Sequence, residues 1–295
     1  MKDFSFWEKY EGASEGSGRS EKIWLINPDT NQTGLFKFKK DVGTTDHVSE
    51  CIAQDLSDLL EIPCARFELG TYKGREGSMS YNIAESSGSV LIEGIYCINL
   101  AYKNYDAEKL FDGETGDRYS LEMIEKALSG LNLFDSFLPI LVFDFLIGNT
   151  DRHQSNWALL MKDEKFEISP LYDNSSSLCA YIKEDMIKKY LGHDLLLWKS
   201  LVDTKSKSLI RISCKDKKQP THLEMLKVLH EKYFQQTRKT ADKIKMRITE
   251  NSICEILNKY NEGLSESRKI LIKKYLLSKV ELIKNIYTES EVSYV

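Results

Sequence analysis

None of the six cysteines, at positions 51, 64, 97, 179, 214 and 254, forms a C-x-x-C pair. Metal fingers and a disulfide framework are therefore disfavoured, and reduced thiols in a cytosol are expected. No apolar stretch is long enough for a membrane span: the most apolar run, residues 134–147, is short and broken by Asp135 and Asp144. The opening residues, Met1-Lys2-Asp3-Phe4-Ser5-Phe6-Trp7-Glu8, lack the apolar core of a signal peptide. There is no internal repeat. There is no Walker A loop either, because no Gly-Lys-Ser/Thr follows a glycine at the required distance. What remains is a chain of 295 residues, 41% hydrophobic and 29% charged, ordinary in composition and long enough for about two domains. A cytoplasmic protein without membrane association is expected.

Net charge is −4 but unevenly spread. Residues 1–203 carry 21 basic and 34 acidic side chains, and residues 204–295 carry 20 and 11, so −13 sits beside +9. A basic C-terminal face would attract an acidic partner. The lysines are spaced through apolar positions rather than clustered, as on solvated amphipathic helices, which disfavours nucleic acid as the partner.

Residues 10–40 read as β-structure around a Gly- and Ser-rich loop, residues 11–20. Lys22–Ile26 and Gly34–Lys39 are strands, and Thr45 or Asp46 caps a helix that runs through Leu60 and ends before Pro63. Ala65–Tyr72 and Ser78–Ile83 are further strands. The loose segment Glu85-Ser86-Ser87-Gly88-Ser89 marks a domain boundary. Beyond it the apolar period is helical over 119–147 and from 222 onward. Between these, Trp157–Met161 and Phe166–Ile168 read as a hairpin around Asp163-Glu164-Lys165.

The chemistry concentrates in Gly148-Asn149-Thr150-Asp151-Arg152-His153-Gln154-Ser155-Asn156 and in Leu171-Tyr172-Asp173. An Asp, an Asn five residues on and a second Asp beyond one short hairpin are the spacing of a phosphoryl-transfer site. Folding the hairpin brings Asn156 near Asp173, a hard-oxygen pair suited to Mg²⁺. Asp151, in the preceding loop, would orient an attacking hydroxyl. His153 either braces the loop or stabilises charge on the transferred group. For the nucleotide, Gly16-Ser17-Gly18 could lay backbone N–H groups over a phosphate, although the same composition makes an idle linker. Lys37, set among Leu35, Phe36 and Phe38, needs a partner if buried, and Glu50 on the following helix is one. Lys39 and Lys40 are equal candidates if Lys37 snorkels.

Taken in order, these segments resemble the HipA family of bacterial serine/threonine kinases, particularly its short members. The resemblance runs through Gly16-Ser17-Gly18-Arg19-Ser20-Glu21-Lys22, Leu35-Phe36-Lys37-Phe38, Ser49-Glu50-Cys51, Glu61-Ile62-Pro63 and the two segments around Asp151 and Asp173. It implies an α+β, bilobal protein-kinase-like fold. A small β-rich N-lobe with one helix would span residues 1–85, and a larger helical C-lobe residues 86–295. It implies ATP and Mg²⁺, with Lys37 on the phosphates, Glu50 as its partner, Asp151 as catalytic aspartate, and Asn156 and Asp173 as metal ligands. The adenine-contacting hinge would fall at residues 82–84. Family members autophosphorylate a serine of the Gly-rich loop; Glu15 aligns with that position here, with Ser14, Ser17 and Ser20 available. Asn174-Ser175-Ser176-Ser177 follows Asp173 where eukaryotic kinases have Phe-Gly. The loop begins too early to leave room for the N-terminal subdomain of full-length HipA toxins. Pairing with an antitoxin therefore stays open, as does delivery to a host as an effector. The expected activity is transfer of the γ-phosphoryl of ATP to a Ser or Thr hydroxyl of a protein. The alternatives are a phosphoinositide-type lipid kinase, a silent nucleotide-binding pseudokinase, and a metal-dependent hydrolase using Asp151, His153 and Asp173.

Overall fold

The computed structural model describes residues 1–12 and 21–288. In chain order its elements begin with β1 (Lys2–Asp3), β2 (Glu8–Lys9), β3 (Lys22–Ile26), β4 (Thr33–Phe38), α1 (Asp46–Leu60), β5 (Phe67–Tyr72) and β6 (Arg75–Tyr81). The six strands make one sheet in the order β1-β5-β6-β4-β3-β2, antiparallel except for the β1–β5 pair. Period-two alternation along β4 decides what each face of the sheet does. Phe36 and Phe38 turn to one side, into a buried aromatic cluster with Phe4, Trp7, Leu25, Tyr72, Met79 and Tyr81. Leu35 and Lys37 take the opposite face, against which α1 packs.

α1 forms because Val48, Ile52, Leu56 and Leu60 share one apolar stripe, all fully buried. Glu61 ends it in the left-handed conformation (φ 54°) and returns its N–H to Asp58. The expected cap at Thr45 or Asp46 is not made, since the Thr45 side chain gives no capping bond. The Thr45 N–H instead reaches the carbonyl of Ala180 at 3.1 Å, and the Thr44 hydroxyl reaches the Asp46 carboxylate at 2.5 Å. A tertiary tether replaces the local one.

The second part contains α2 (Ile83–Ser87), β7 (Val90–Glu93), α3 (Gly94–Ala101), β8 (Tyr105–Asp106), β9 (Phe111–Asp112), α4 (Leu121–Leu128), α5 (Phe134–Ile147), β10 (Ala158–Lys162) and β11 (Lys165–Ile168). It continues through α6 (Glu184–Leu191), α7 (Leu195–Lys199), α8 (His222–Lys232), α9 (Phe234–Arg247), α10 (Glu250–Asn258) and α11 (Glu266–Thr288). The chain is α+β and bilobal, with helices dominating its second part. α5 is apolar on all sides after its first turn but for Asp144, and buried there except at Pro139, so it serves as the axis of the large core, with α8, α9 and α11 around it. No described helix is long and apolar enough to cross a membrane.

Three expectations shift. The strand expected at Ser78–Ile83 starts earlier, at Arg75, because Lys73 and Gly74 (φ 49° and 77°) make a two-residue hairpin turn. The loose segment 85–89 is α2 running into β7. Asn82 Oδ1 accepts from the N–H groups of Ala84 and Glu85, and the Glu85 carboxylate accepts from both the Thr33 N–H and hydroxyl at 2.9 Å. β7 then pairs with β10, giving a second sheet in the order β11-β10-β7. The helical period over 119–147 is two helices, α4 and α5, divided by a 3-10 turn and by Asn132 at φ 56°.

Basic residues of the last helices clamp α1 from below. Lys243 and Arg247 donate to the carbonyls of Leu60 and Leu59 at 2.9 and 2.8 Å, at the negative end of the helix dipole, and both pair with Glu61. Lys259 and the Tyr260 hydroxyl hold Asp55. Part of the C-terminal positive surplus is thus neutralised inside the molecule.

Candidate active site

The loop after α5 is shaped by its own polar residues. Gly148 turns the chain at φ +66°, and a Cβ there would lie 2.0 Å from the Tyr275 hydroxyl, so neither backbone nor space admits a side chain. Asn149 folds back onto α5: its N–H bonds the Asp144 carbonyl at 3.0 Å and its amide the Asp144 carboxylate at 3.1 Å. Its Oδ1 receives the N–H of Asp151 at 3.1 Å.

Arg152 is the hub. Its side chain is almost wholly buried and forks onto Asp144, with Nε to Oδ2 at 2.9 Å and Nη2 to Oδ1 at 2.6 Å. Nη1 donates to the carbonyls of both Asn156 (2.7 Å) and Tyr172 (2.9 Å), and Nη2 also to Asn174 Oδ1 (2.7 Å). One guanidinium thereby joins the end of α5, the loop, the start of the hairpin and the segment after it. Asn156 spends its amide N–H on the Asp151 carbonyl at 2.7 Å, and its Oδ1 makes no hydrogen bond among the described residues. His153 accepts the Ser155 N–H at Nδ1, 3.2 Å away, so the ring is braced from within the loop.

Across the cleft, Lys37 Nζ lies 2.9 Å from Glu50 Oε1 and 3.1 Å from Asp173 Oδ1. The other Glu50 oxygen accepts the N–H of Asn174 at 2.8 Å. Burial opposes a charge on Lys37, yet the two carboxylates beside it raise its pKa above the ordinary value. Glu50, fully buried, is pushed up by desolvation, with Lys37 acting against it. For Asp173 burial works upward, but Lys37, with His153 and Lys22, holds the carboxyl below the usual range. Asp151 goes the other way: desolvation raises it, His153 pulls it down and Asp173 adds to the rise. The two aspartates are separated in basicity, as a proton acceptor and a cation ligand would be.

Lys37, Glu50, Asp151, His153 and Asp173 line one cavity of about 380 Å³. Asn156 is not among the lining residues; its amide bonds the carbonyl of Asp151, which is. Gly16, Ser17 and Gly18 lie outside the described residues. Of the rival lysines, Lys39 pairs with Glu76 at 2.8 Å, whereas Lys40 enters the cavity rim with its Nζ 5.2 Å from the Tyr181 ring centroid. Residues 82–84 fall in the connector between the two sheets. No group of three or more His, Cys, Asp or Glu side chains is placed to hold a metal among the described residues. An Asn–Asp pair is a different donor set, and it suits Mg²⁺, which keeps several water and phosphate oxygens in its shell. The buried His47 nitrogens and Ser78 hydroxyl, of residues lining the same cavity, have no hydrogen-bond partner among the described residues, so these walls suit a polar occupant.

Sequence reading missed the roles of Asp144, Asn149 and Asn174 and the clamp role of Arg152, as well as Lys22, His47 and Tyr181 at the cavity. The interruption of an apolar run by Asp144 was the available signal, because a carboxylate in such a helix needs a cationic partner.

Comparisons with known proteins bear on the family and the fold. A family model described as the HipA-like C-terminal domain matches residues 99–263, more than half of the chain. No curated protein sequence matches. Among solved structures, the Helicobacter pylori proinflammatory kinase CtkA superposes with a TM-score of 0.82 at 20% identity, covering 99% of each chain. HipA of Shewanella oneidensis MR-1, solved with HipB and operator DNA, superposes with a TM-score of 0.60 at 12% identity, covering all of this chain and 70% of that one. The fold is that of the HipA-like kinases.

Proposed function

This chain belongs to the HipA-like kinase family, and we propose that it is an ATP- and Mg²⁺-dependent protein kinase acting on serine or threonine hydroxyls. The observation that carries the reading is the chain of contacts from Glu50 through Lys37 to Asp173, facing Asp151 across one cavity. In phosphoryl transfer the protein contributes positioning and charge rather than covalent chemistry. Lys37, kept cationic and aimed by Glu50, would hold the phosphate chain, with Gly16, Ser17 and Gly18 as backbone donors above it. Mg²⁺, held by Asn156 and Asp173, would neutralise charge on the phosphates. Asp151, with its raised pKa, accepts the proton of the incoming hydroxyl. The hydroxyl oxygen bonds to the γ-phosphorus, the bridging P–O bond breaks, and ADP leaves. His153 serves this step as a brace of the loop.

In this reading residues 1–85 form the nucleotide lobe and 86–295 the catalytic lobe, with the adenine beside the connector at 82–84. Protein is the favoured acceptor, and cytoplasm the favoured compartment. The Shewanella relative was solved with HipB and DNA; a protein partner of that kind, or an acidic one on the basic C-terminal helices, belongs to the same proposal. The purified protein with Mg²⁺ and γ-labelled ATP should transfer label to itself or to proteins of a lysate, and Asp151→Asn should abolish transfer while sparing nucleotide binding. Binding without any transfer by the wild type would make it a nucleotide sensor instead.

A further inference from the structure

Beside the catalytic cavity lies a second one of about 220 Å³, and the two share Ser176 and Tyr181. Thr150, next to Asp151, lines it, with Ala180, Ile182 and Leu201 as its main apolar walls. Its volume is below the roughly 300–1,000 Å³ of sites for drug-sized ligands, which suits a single side chain. Its hydroxyls are already engaged: Thr150 Oγ1 donates to the Ser176 carbonyl at 3.3 Å, the Ser176 and Tyr181 hydroxyls lie 3.3 Å apart, and the Tyr275 and Ser206 hydroxyls 3.2 Å apart. What is left to a ligand is mainly apolar surface, with the exposed Lys205 as the one cation on its lining.

The wall is built under strain. Leu178 and Cys179 are consecutive non-glycine residues in the left-handed region, at φ 50° and 60°. Four tethers from three directions hold them there. The Leu178 N–H bonds the Ile147 carbonyl at 2.8 Å, and the Ala180 carbonyl accepts the Thr45 N–H at 3.1 Å. The buried Arg268 guanidinium donates to the carbonyls of Cys179, at 2.8 Å, and Ile182. Such conformations persist only where the surroundings over-determine them, and they gather at functional sites. None of these bonds serves the Lys37–Glu50–Asp173 constellation.

We infer that the second cavity is a specificity pocket for the protein substrate. It takes one apolar side chain of about valine to leucine size from a residue next to the acceptor serine or threonine, while the acceptor hydroxyl lies at Asp151. The inference rests on the kinase reading above. The adjacency of the two cavities, which share Ser176 and Tyr181, selects this occupant, because a chain whose hydroxyl reaches Asp151 brings its neighbouring residue toward Thr150 and Tyr181.

The test is a library of acceptor peptides in which the residue beside the serine is Leu, Val, Phe, Gly, Asp or Lys. The wild type should favour Leu or Val over Gly and Asp by about tenfold or more in kcat/KM, the discrimination expected of a small apolar pocket. Leu201→Glu should erase that ratio and favour the Lys peptide. If that variant does not fold, Leu201→Ala, which enlarges the pocket, should move the preference toward Phe. Transfer without neighbour preference, or a preference identical in the wild type and the folded Leu201 variants, overturns the pocket and leaves the kinase reading intact. Absence of transfer to every peptide and to the protein itself overturns both.

Discussion

Arg152→Met is the perturbation whose consequences can be worked furthest. The guanidinium is fully desolvated and makes five hydrogen bonds, two of them a fork onto Asp144. Methionine fills much of the space and supplies no donor. Asp144, itself only 3% exposed inside the apolar α5, is then a buried carboxylate without its cation. Removing one partner of a buried pair costs about 3–5 kcal/mol. The carbonyls of Asn156 and Tyr172 also lose a donor, at up to about 1–3 kcal/mol each, though these losses overlap and do not add. Against a total stability of roughly 5–15 kcal/mol this is a large fraction. The measurement is urea unfolding, with the midpoint falling at an unchanged slope. Asp144→Leu combined with Arg152→Met removes the stranded charge, so the double variant should regain about 2 kcal/mol over Arg152→Met alone. It should not regain phosphotransfer, because nothing then holds the Asn156 and Tyr172 carbonyls on one donor. A loss below about 1 kcal/mol in the single variant, or a double variant costing the sum of both singles, would refute the clamp.

Glu50→Gln keeps the shape but leaves Lys37 with Asp173 as its remaining anion, so Mg²⁺–ATP affinity should fall about tenfold, or about 1.4 kcal/mol, with circular dichroism unchanged; calorimetric titration giving wild-type affinity would contradict the proposed role. Gly148→Ala should lower stability by at least about 1–2 kcal/mol from the left-handed backbone alone, before the overlap with Tyr275 is counted, and thermal unfolding at the wild-type temperature would count against it. Burial lowers the pKa of His47 to about 4 and of His222 to about 3, both below the ordinary 6.5. The unfolded chain therefore binds more protons than the folded one between those values. Stability should be complete above about pH 6.5 and fall as acid is added, by up to about 1.4 kcal/mol per pH unit for each histidine. His222→Gln should remove one histidine's share of that slope in unfolding titrations between pH 6.5 and 4.5, and an unaltered slope would rule it out.

The residues that announced themselves in the sequence did so by breaking a local pattern. Lys37 stood out because an apolar strand has no ordinary use for a lysine, and the fold answers with Glu50 and Asp173 on either side of it. The helix of Glu50 was legible for the same reason that it is stable, a single apolar stripe. What stayed hidden was non-local. The segment 85–89 is polar by composition, yet it becomes helix and strand because Glu85 reaches back to Thr33 and β7 finds β10, partners 52 and about 70 residues away in the chain. No window of sequence contains those distances. Nor could spacing tell Lys37 from Lys40: strand alternation puts residues 36 and 38 on one face and 37 on the other, but which face meets α1 is decided by the aromatic cluster that buries Phe36 and Phe38.

Arg152 shows why even a correctly read motif is incomplete. Its neighbours Asp151 and Asn156 carry recognisable chemistry, whereas the sequence assigns Arg152 no task. Geometry turns it inward, where a planar fork can satisfy a helix carboxylate and two loop carbonyls at once, a demand no lysine could meet. The consequence is a coupling between core and site: the carboxylate that interrupts α5 is what fixes the arginine, and the arginine is what spaces Asn156 against the residues just before and after Asp173. Asp173 itself sits at φ +52° without being glycine, a conformation that the bonds of its neighbours, Tyr172 to Arg152 and Asn174 to Arg152 and Glu50, impose on it. A motif scan reads Asp173 as one letter at one distance, whereas its useful orientation is a property of the buried network around it.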